Sequence, residues 1–334
     1  MNRLTKRGGP RPNGARGARA GSAATGVLDV HQHLWPEALV EALRGRRRPP
    51  RLRGWTLELD GEPAYEVDPD AHDVAARAAQ ARADGLELAL VSLSSPLGIE
   101  SLPAGQAGEL LAAYHDGVLA FPAPFAGWAA ACLSEIDPVA LARELDRGFV
   151  GLQLPATALL DAGGYERAGP LLERLELTGK PLLVHPGPVA GSSAGAVAPR
   201  WWPAIVSYVQ QMHAAWFAFR AHGRPRHPAL RVCFAMLAGL APLHGERVAA
   251  RTGGRNVVDE DVFLEISSYG TKAVDATIRV LGVDPLIYGS DRPYAEPPEL
   301  ELGAAALQAL RGANPMRLLY AKEVSHELAI AASA

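Results

Sequence analysis

Short apolar runs alternate along the chain with longer stretches in which apolar residues recur at helical spacing, from Val27 to about Leu319. A bounded run of four to eight apolar residues predicts a buried strand, whereas the longer amphipathic stretches predict helices. Eight runs predict strands, at residues 27–31, 86–93, 125–131, 149–154, 181–185, 230–235, 262–266 and 286–289. Strands that alternate with helices indicate an α/β protein with a parallel sheet.

The stretches between these strands predict helices at 69–84, 105–116, 138–147, 165–178, 201–221 and 271–281. Two of them begin with an acidic residue followed by proline, a pattern typical of a capped helix start. Eight strands with intervening helices favour a (β/α)8 TIM barrel. A doubly wound sheet is the alternative, but the first strand is not followed by a Gly-rich phosphate loop.

Two connections are longer than a regular barrel requires. One follows the first strand, at 37–68, and the other follows the fifth, at 187–199. Long connections of this kind are binding loops or lids, or else they are disordered.

Composition adds a domain boundary to this picture. Of the 334 residues 48% are apolar and 21% are charged, which is typical of a globular protein with a substantial core. Residues 1–26 hold six basic residues and no acidic one, so we expect a disordered basic tail followed by a barrel domain at 27–334.

Charge and cysteine content narrow the expected partners and compartment. The net charge of -3 gives no reason to expect a nucleic-acid partner, and no apolar run is long enough to cross a membrane or to form a secretory signal. The two cysteines, Cys132 and Cys233, lie in apolar surroundings and predict buried thiols in a cytoplasmic protein.

The ends of the predicted strands carry the candidate chemistry. His31 and His33 end the first strand, and in an extended chain their side chains share one face. His185 ends the fifth strand and Asp291 follows the eighth. Because active sites of (β/α)8 barrels lie at these strand ends, three imidazoles and one carboxylate predict a site for a divalent metal, zinc first.

Each of these residues also has a simpler interpretation. The first two histidines could hydrogen-bond in the core, His185 could be a turn residue bonded to backbone, and Asp291 could be a turn or cap residue paired with Arg292. If a metal is bound, it lowers the pKa of a bound water from about 15.7 towards roughly 7 and polarises a substrate oxygen. Asp291 at the rim could then act as the catalytic base that accepts the proton and delivers it to a leaving group.

Four motifs carry a resemblance to a known family. The segments VLDVHQHLWP, PLLVHPGP, LIYGSDRPY and NPMRLL together resemble the amidohydrolase superfamily. The closer resemblance is to its amidohydrolase-related branch, which includes aminocarboxymuconate-semialdehyde decarboxylase and similar non-oxidative decarboxylases. The resemblance implies that His31, His33, His185 and Asp291 bind a single divalent ion, zinc or alternatively manganese, in a distorted (β/α)8 barrel.

Two positions depart from the family pattern. Gln153 ends the fourth strand, where dinuclear members supply a bridging lysine, and this favours one metal ion over two. Met236 follows the sixth strand, where this branch usually has a histidine. A methionine cannot transfer a proton, so the decarboxylase chemistry loses its usual acid or base. His213 or His244 could reach the site from another direction, although a surface or packing role is the simpler reading of both.

Candidate substrate contacts lie near the first strand. Arg51 and Arg53, close to Trp55, offer planar donors suited to a carboxylate, and related enzymes place a substrate-binding arginine in a comparable loop. Trp35 could form the wall for an aromatic ring or could anchor the core.

Three functions follow, in order of preference. The first is a metal-dependent hydrolase that acts on a small carboxylate-bearing molecule, aromatic or not, through a metal-bound water. The second is a metal-dependent decarboxylase of the same branch, and the third is a metal-binding barrel without activity. The expected partner is a small-molecule substrate. A homodimer is one possible state of the protein. Four aromatic residues of one predicted helix could form an interface or pack in the core: Trp201, Trp202, Trp216 and Phe217.

Overall fold

A computed structural model describes residues 26–60, 62–189, 199–253 and 258–320 of the chain. The basic tail predicted at 1–26 lies outside these residues except for Gly26, and so does most of the predicted loop at 187–199. In the described residues no helix is long and apolar enough to span a bilayer.

The described residues form eleven strands and ten α-helices. The strands are β1 (Val27–Gln32), β2 (Arg51–Arg53), β3 (Thr56–Glu58), β4 (Tyr65–Glu66), β5 (Leu86–Val91), β6 (Phe125–Gly127), β7 (Leu152–Pro155), β8 (Leu182–His185), β9 (Val232–Phe234), β10 (Val262–Glu265) and β11 (Leu286–Ile287).

The helices are α1 (Glu37–Gly45), α2 (Val74–Ala83), α3 (Ala104–Leu119), α4 (Pro138–Arg147), α5 (Ala162–Thr178), α6 (Tyr208–Ala218), α7 (Gly245–Thr252), α8 (Thr271–Leu281), α9 (Ala304–Gln308) and α10 (Asn314–Leu319). Turns of π-helix at Pro203–Ser207 and Phe219–Gly223 flank α6, so the single helix predicted at 201–221 has three parts. The predicted helices at 138–147 and 271–281 match α4 and α8.

All eight predicted strands are present, as β1 and β5 to β11, and they pair in parallel. They form two sheets, β1-β5-β6 and β7-β8-β9-β10-β11. Backbone hydrogen bonds link the sheets at both seams. At one seam the Ala129 N–H donates to the Gly151 carbonyl at 2.9 Å, and at the other the Asp291 N–H donates to the His31 carbonyl at 2.9 Å. The carboxyl ends of all eight strands therefore lie at one face.

Two apolar clusters fill the protein. The larger lies between the strands and the surrounding helices. The smaller is formed by residues from the parallel strands together with Leu318 and Leu319 of α10. Its members on the strands include Leu28, Val30, Leu90, Leu183, Cys233, Phe263 and Ile287. Cys233 is buried as predicted, whereas Cys132 is only half-buried because it lies in an open connection beside Ser134.

The connection after β1 was expected to be a long loop, and the structure corrects this expectation. Residues 37–45 form α1, and β2, β3 and β4 form an antiparallel sheet, which we call the three-stranded excursion. Leu52 and Leu57 face each other across β2 and β3 and are both buried. Gly54 allows the tight turn between these strands, since its φ of 63° is in the left-handed region.

Candidate metal centre

Four predicted ligands converge at the carboxyl ends of the strands. His31 lies in β1 and His33 just beyond it, His185 ends β8, and Asp291 follows β11. One nitrogen or oxygen from each side chain lies within 4.8 Å of those of the others. The three imidazole centroids are 4.9 to 5.0 Å apart. The structure therefore brings together four residues that lie up to 260 positions apart in the sequence.

The Nδ1 atom of each imidazole is held by an oxygen that can only accept a hydrogen bond. The His31 Nδ1 donates to Glu265 Oε2 at 3.1 Å. The His33 Nδ1 donates to the Ser92 carbonyl at 3.0 Å, and the His185 Nδ1 donates to the Pro186 carbonyl at 2.8 Å. In each ring the tautomer that carries the proton on Nδ1 leaves the Nε2 lone pair free.

The free nitrogens are directed at one another and at a carboxylate. The Nε2 atoms of His31 and His33 are 3.1 Å apart. Asp291 Oδ1 lies 3.2 Å from the His33 Nε2 and 3.6 Å from the His31 Nε2. Three neutral imidazoles and one carboxylate at this spacing are a donor set for a zinc-like or manganese-like divalent ion.

Burial and neighbouring charges shift the pKa values of the three histidines in different directions. Burial, followed by the charges of the neighbouring histidines, holds the pKa of His185 well below its usual value. Burial also lowers the pKa of His33. Burial opposes protonation of His31, but the hydrogen bond to Glu265 and the charge of Asp291 outweigh it and raise the pKa of His31 to about 9. The residues fit a bound cation, which would take the place of that proton.

Glu265 is a site residue that the sequence analysis missed. Its side chain is fully buried, and Oε2 accepts hydrogen bonds from the His31 Nδ1, from the Ser267 hydroxyl at 2.8 Å and from the Met236 N–H at 3.2 Å. The other oxygen accepts from the Ser267 N–H. A β-carbon at Gly289 would lie 2.5 Å from this oxygen, so only glycine fits there. The sequence offered one signal for this role: Glu265 is the single charged residue of the run VFLE and stands at its end.

The backbone next to the centre is strained. The described non-glycine residues with positive φ all follow β9, β10 or β11, and they are Met236, Leu237, Ala238, Leu240, Ser268 and Asp291. Each such residue costs about 1 to 2 kcal/mol, and strain of this kind concentrates at functional sites.

Met236 lies where the family that the motifs resemble has a histidine, and it contributes a backbone N–H to Glu265. His213 and His244 contact each other, with centroids 5.1 Å apart, and belong to no metal-binding group of the described residues.

The predicted substrate residues have partners of their own. Arg51 donates from Nε to Glu58 at 2.7 Å, and the Arg53 Nε lies 3.0 Å from the same carboxylate. Glu58 is the partner of Arg51 across β2 and β3, so the pairing follows from strand register. Trp35 is 3% exposed, and its Nε1 donates to the Ser94 hydroxyl, which lies 3.2 Å from the His33 Nδ1. The role of these three residues in substrate binding stays a prediction.

Gln153 and Glu100 form a second buried polar group near the strand ends. The Gln153 amide donates to the Leu93 carbonyl at 2.6 Å and to the Ser95 hydroxyl at 2.5 Å. The Ser95 hydroxyl in turn donates to Glu100 Oε1. Among the described residues, Glu100 Oε2 and Gln153 Oε1 have no partner. Burial raises the pKa of Glu100 to about 7.

No family model and no curated protein matches the sequence, but solved structures do match it. IDCase of Metarhizium anisopliae in apo form has 17% identity and a TM-score of 0.72 over 88% of this chain and 97% of its own. The 5-carboxyvanillate decarboxylase LigW of Sphingomonas paucimobilis has 18% identity and a TM-score of 0.65, over 89% and 99%.

A third similar structure contains a metal. The dihydroxybenzoic acid decarboxylase of Polaromonas sp. JS666, with bound manganese and the inhibitor 2-nitroresorcinol, has 18% identity and a TM-score of 0.60, over 88% of this chain and 97% of its own. At these identities the similarity shows a shared fold. The α/β fold predicted from the sequence, and implied by the motifs, is confirmed.

Proposed function

We propose that this protein is a metal-dependent enzyme of the amidohydrolase-related branch, built on a closed and distorted (β/α)8 barrel, that removes CO₂ from a small aromatic carboxylate. The observation that carries the proposal is the geometry of the centre: three imidazoles with Nδ1 held by acceptors direct Nε2 at one point beside Asp291. The decarboxylases with the same fold favour this reaction over hydrolysis, which the sequence analysis placed first. Hydrolysis is kept as the alternative.

His31, His33, His185 and Asp291 would hold one divalent ion. When bound, the ion would polarise a substrate carboxylate or phenolic oxygen and offset the negative charge that grows as the carbon–carbon bond breaks. Either zinc or manganese suits a set of three nitrogens and one oxygen. The manganese in one decarboxylase of the same fold makes manganese the first ion to test.

The chain itself must move one proton. When CO₂ leaves, the electron pair of the broken bond stays on the ring carbon, and this carbon takes up a proton. Met236 cannot supply it, whereas Asp291 has a side chain 16% exposed at the rim of the centre, with Oδ1 3.2 Å from the His33 Nε2. We assign to Asp291 the transfer of this proton: its carboxylate takes the proton from water at the exposed rim and gives it to the ring carbon. In the hydrolytic alternative the same carboxylate would act as the base.

The experiment combines metal analysis with two product assays. Protein purified and loaded with manganese or zinc is expected to bind one ion per chain and to release CO₂ from at least one hydroxybenzoate. His185→Ala is expected to lose bound metal and at least about a hundredfold in rate, since one of four ligands is missing. Acid production from lactones or amides without CO₂ release would instead establish the hydrolase. Folded protein that binds no divalent ion would overturn both functions.

The other predicted properties stay predictions within this proposal. They are a small-molecule substrate, no nucleic-acid or membrane partner, a cytoplasmic location and a homodimer as one possible oligomeric state. Trp201 and Trp202, two aromatic residues considered for an interface, are 55% and 42% exposed, whereas Trp216 is buried.

A further inference from the structure

Two pairs of contacting side chains come from three separate parts of the chain, and one member of the first pair lies beside the metal centre: Tyr294 with Tyr65, and Tyr208 with Glu62. Glu62 and Tyr65 belong to the three-stranded excursion, Tyr208 begins α6, and Tyr294 lies three residues beyond Asp291. We call these four residues the roof. None of them was selected from the sequence, and the reaction proposed above uses none of them.

Tyr294 connects the roof to the metal centre. Its ring centroid lies 5.3 Å from that of His33, and its hydroxyl shares a hydrogen bond with Ser94. The ring of Tyr65 lies 6.5 Å from Tyr294. The two rings are 39% and 51% exposed, so aromatic faces remain accessible next to the imidazole ligands. Such faces suit a flat aromatic substrate, which would stack or pack edge to face.

Glu62 is the acidic residue of the roof, and burial raises the pKa of its carboxyl group. The Tyr208 hydroxyl donates to Glu62 Oε1 at 2.8 Å, and the other oxygen of Glu62 accepts no hydrogen bond from the described residues. Burial, followed by the charge of Glu62 and smaller contributions from Tyr294 and Asp291, raises the pKa of Tyr208. Glu62 lies three residues before Tyr65, whose ring contacts Tyr294, so its free oxygen is an acceptor in the segment that borders the metal centre.

We propose that Glu62 determines substrate specificity: it selects an aromatic acid that carries a hydroxyl or amino group on the part of the ring remote from the metal, and it rejects a second carboxylate there. The inference rests on the proposed function. A carboxylate can only accept hydrogen bonds, so it pairs with a donor and repels an anion. The arginines predicted for substrate binding would select the opposite class, but Arg51 and Arg53 are both paired with Glu58.

The test measures equilibrium binding of aromatic acids to the manganese-loaded full chain by calorimetry, without turnover. The probes are 3- and 4-hydroxybenzoate and the matching diacids, isophthalate and terephthalate. The parent protein is expected to bind the better hydroxy acid at least about tenfold more tightly than either diacid, as one hydrogen bond to a charged acceptor allows. In Glu62→Gln the ratio is expected to fall below about threefold, because the amide also donates and carries no charge.

Two control variants separate the roof from general effects. Glu66→Gln changes another glutamate of the same excursion, whose carboxylate accepts from Thr56, and should leave the ratio unchanged. Tyr208→Phe removes the hydroxyl that holds Glu62 but keeps the charge, so a preference for the hydroxy acid should persist. If the acids bind and Glu62→Gln leaves the ratio unchanged, only the roof inference fails. If metal-loaded protein binds no aromatic acid in any variant, the proposed function fails with it.

Discussion

Two glutamates are fully buried at the carboxyl ends of the strands, and their surroundings differ sharply. Glu265 accepts hydrogen bonds from an imidazole, a hydroxyl and two backbone N–H groups. Glu100 accepts one from the Ser95 hydroxyl, and its second side-chain oxygen has no partner among the described residues. Burial raises the pKa of Glu100 to about 7.

The two buried carboxyl groups differ in the number of hydrogen-bond donors around them, four for Glu265 and one for Glu100 among the described residues. A buried carboxylate keeps its charge where donors replace the lost water, and it tends to take up a proton where they do not. The donors are concentrated around Glu265, which orients a candidate metal ligand. Glu100, with fewer donors around it, costs the fold little in its neutral form.

The largest effect is expected from Glu265→Ala. The substitution leaves the His31 Nδ1–H and the N–H groups of Met236 and Ser267 without their acceptor in a buried place. We expect the free energy of unfolding to fall by about 3 to 5 kcal/mol and metal affinity to fall about 10- to 100-fold. Urea unfolding and metal titration measure the two quantities. Glu265→Gln, which keeps one acceptor, should lose less of both, and an alanine variant equal to the parent would refute the role of Glu265.

A smaller effect, with a defined pH dependence, is expected from Glu100→Gln. The folded pKa of Glu100 is raised from 4.5 to about 7, so the folded state binds the proton more tightly than the unfolded state. Stability from this group is therefore present below about pH 4.5 and falls by up to about 3 kcal/mol as the pH rises through 7.

Glu100→Gln should accordingly gain stability over the parent at pH 8 but not at pH 5, as measured by chemical unfolding at both values. The exposed Glu173→Gln serves as the control and should show no such change. A difference between Glu100→Gln and the parent that is the same at both pH values would contradict the interpretation of Glu100 as a group neutral in the fold.

The smallest effect is expected from Gly289→Ala, which tests how firmly Glu265 is held. The new β-carbon would lie 2.5 to 2.7 Å from atoms of the Glu265 side chain, which its hydrogen bonds prevent from moving. Overpacking of this kind costs about 1 to 3 kcal/mol. Gly108→Ala, in α3 with no atom within 4 Å, should instead be neutral or slightly stabilising. Thermal unfolding of both variants tests whether Glu265 is fixed in place. Equal melting temperatures for Gly289→Ala and Gly108→Ala would show that Glu265 can shift.

The features that could be predicted from the sequence follow from the geometry of single strands and from the parallel order of the strands. The alternation of side chains along a strand places His31 and His33 on one face, and the parallel order brings His185 and Asp291 to the same end. The excursion escaped prediction because its strands are only two or three residues long, too short for a periodic pattern.

Contacts between distant segments account for what the sequence did not reveal. Glu62 and Tyr208 are 146 residues apart, and no local pattern connects them. The pairing of Arg51 and Arg53 with Glu58 was equally invisible in the sequence: Glu58 lies opposite Arg51 in the strand register and also forms an ion pair with Arg53. The strained backbone after β9 depends on packing and on the hydrogen bond from Met236 to Glu265, neither of which leaves a sequence signature.

The seam between β1 and β11 has a consequence for biosynthesis. Asp29 accepts a hydrogen bond from the Ser290 N–H, 261 residues further along the chain. On the ribosome, β1 therefore emerges long before β11, which completes its pairing. His31 and His33 are likewise synthesised long before Asp291. Contacts of such long sequence separation form slowly and leave unpaired strand edges exposed meanwhile. Nascent chains of this protein should thus rely on chaperones to protect the unpaired edge of β1 until β11 has left the exit tunnel.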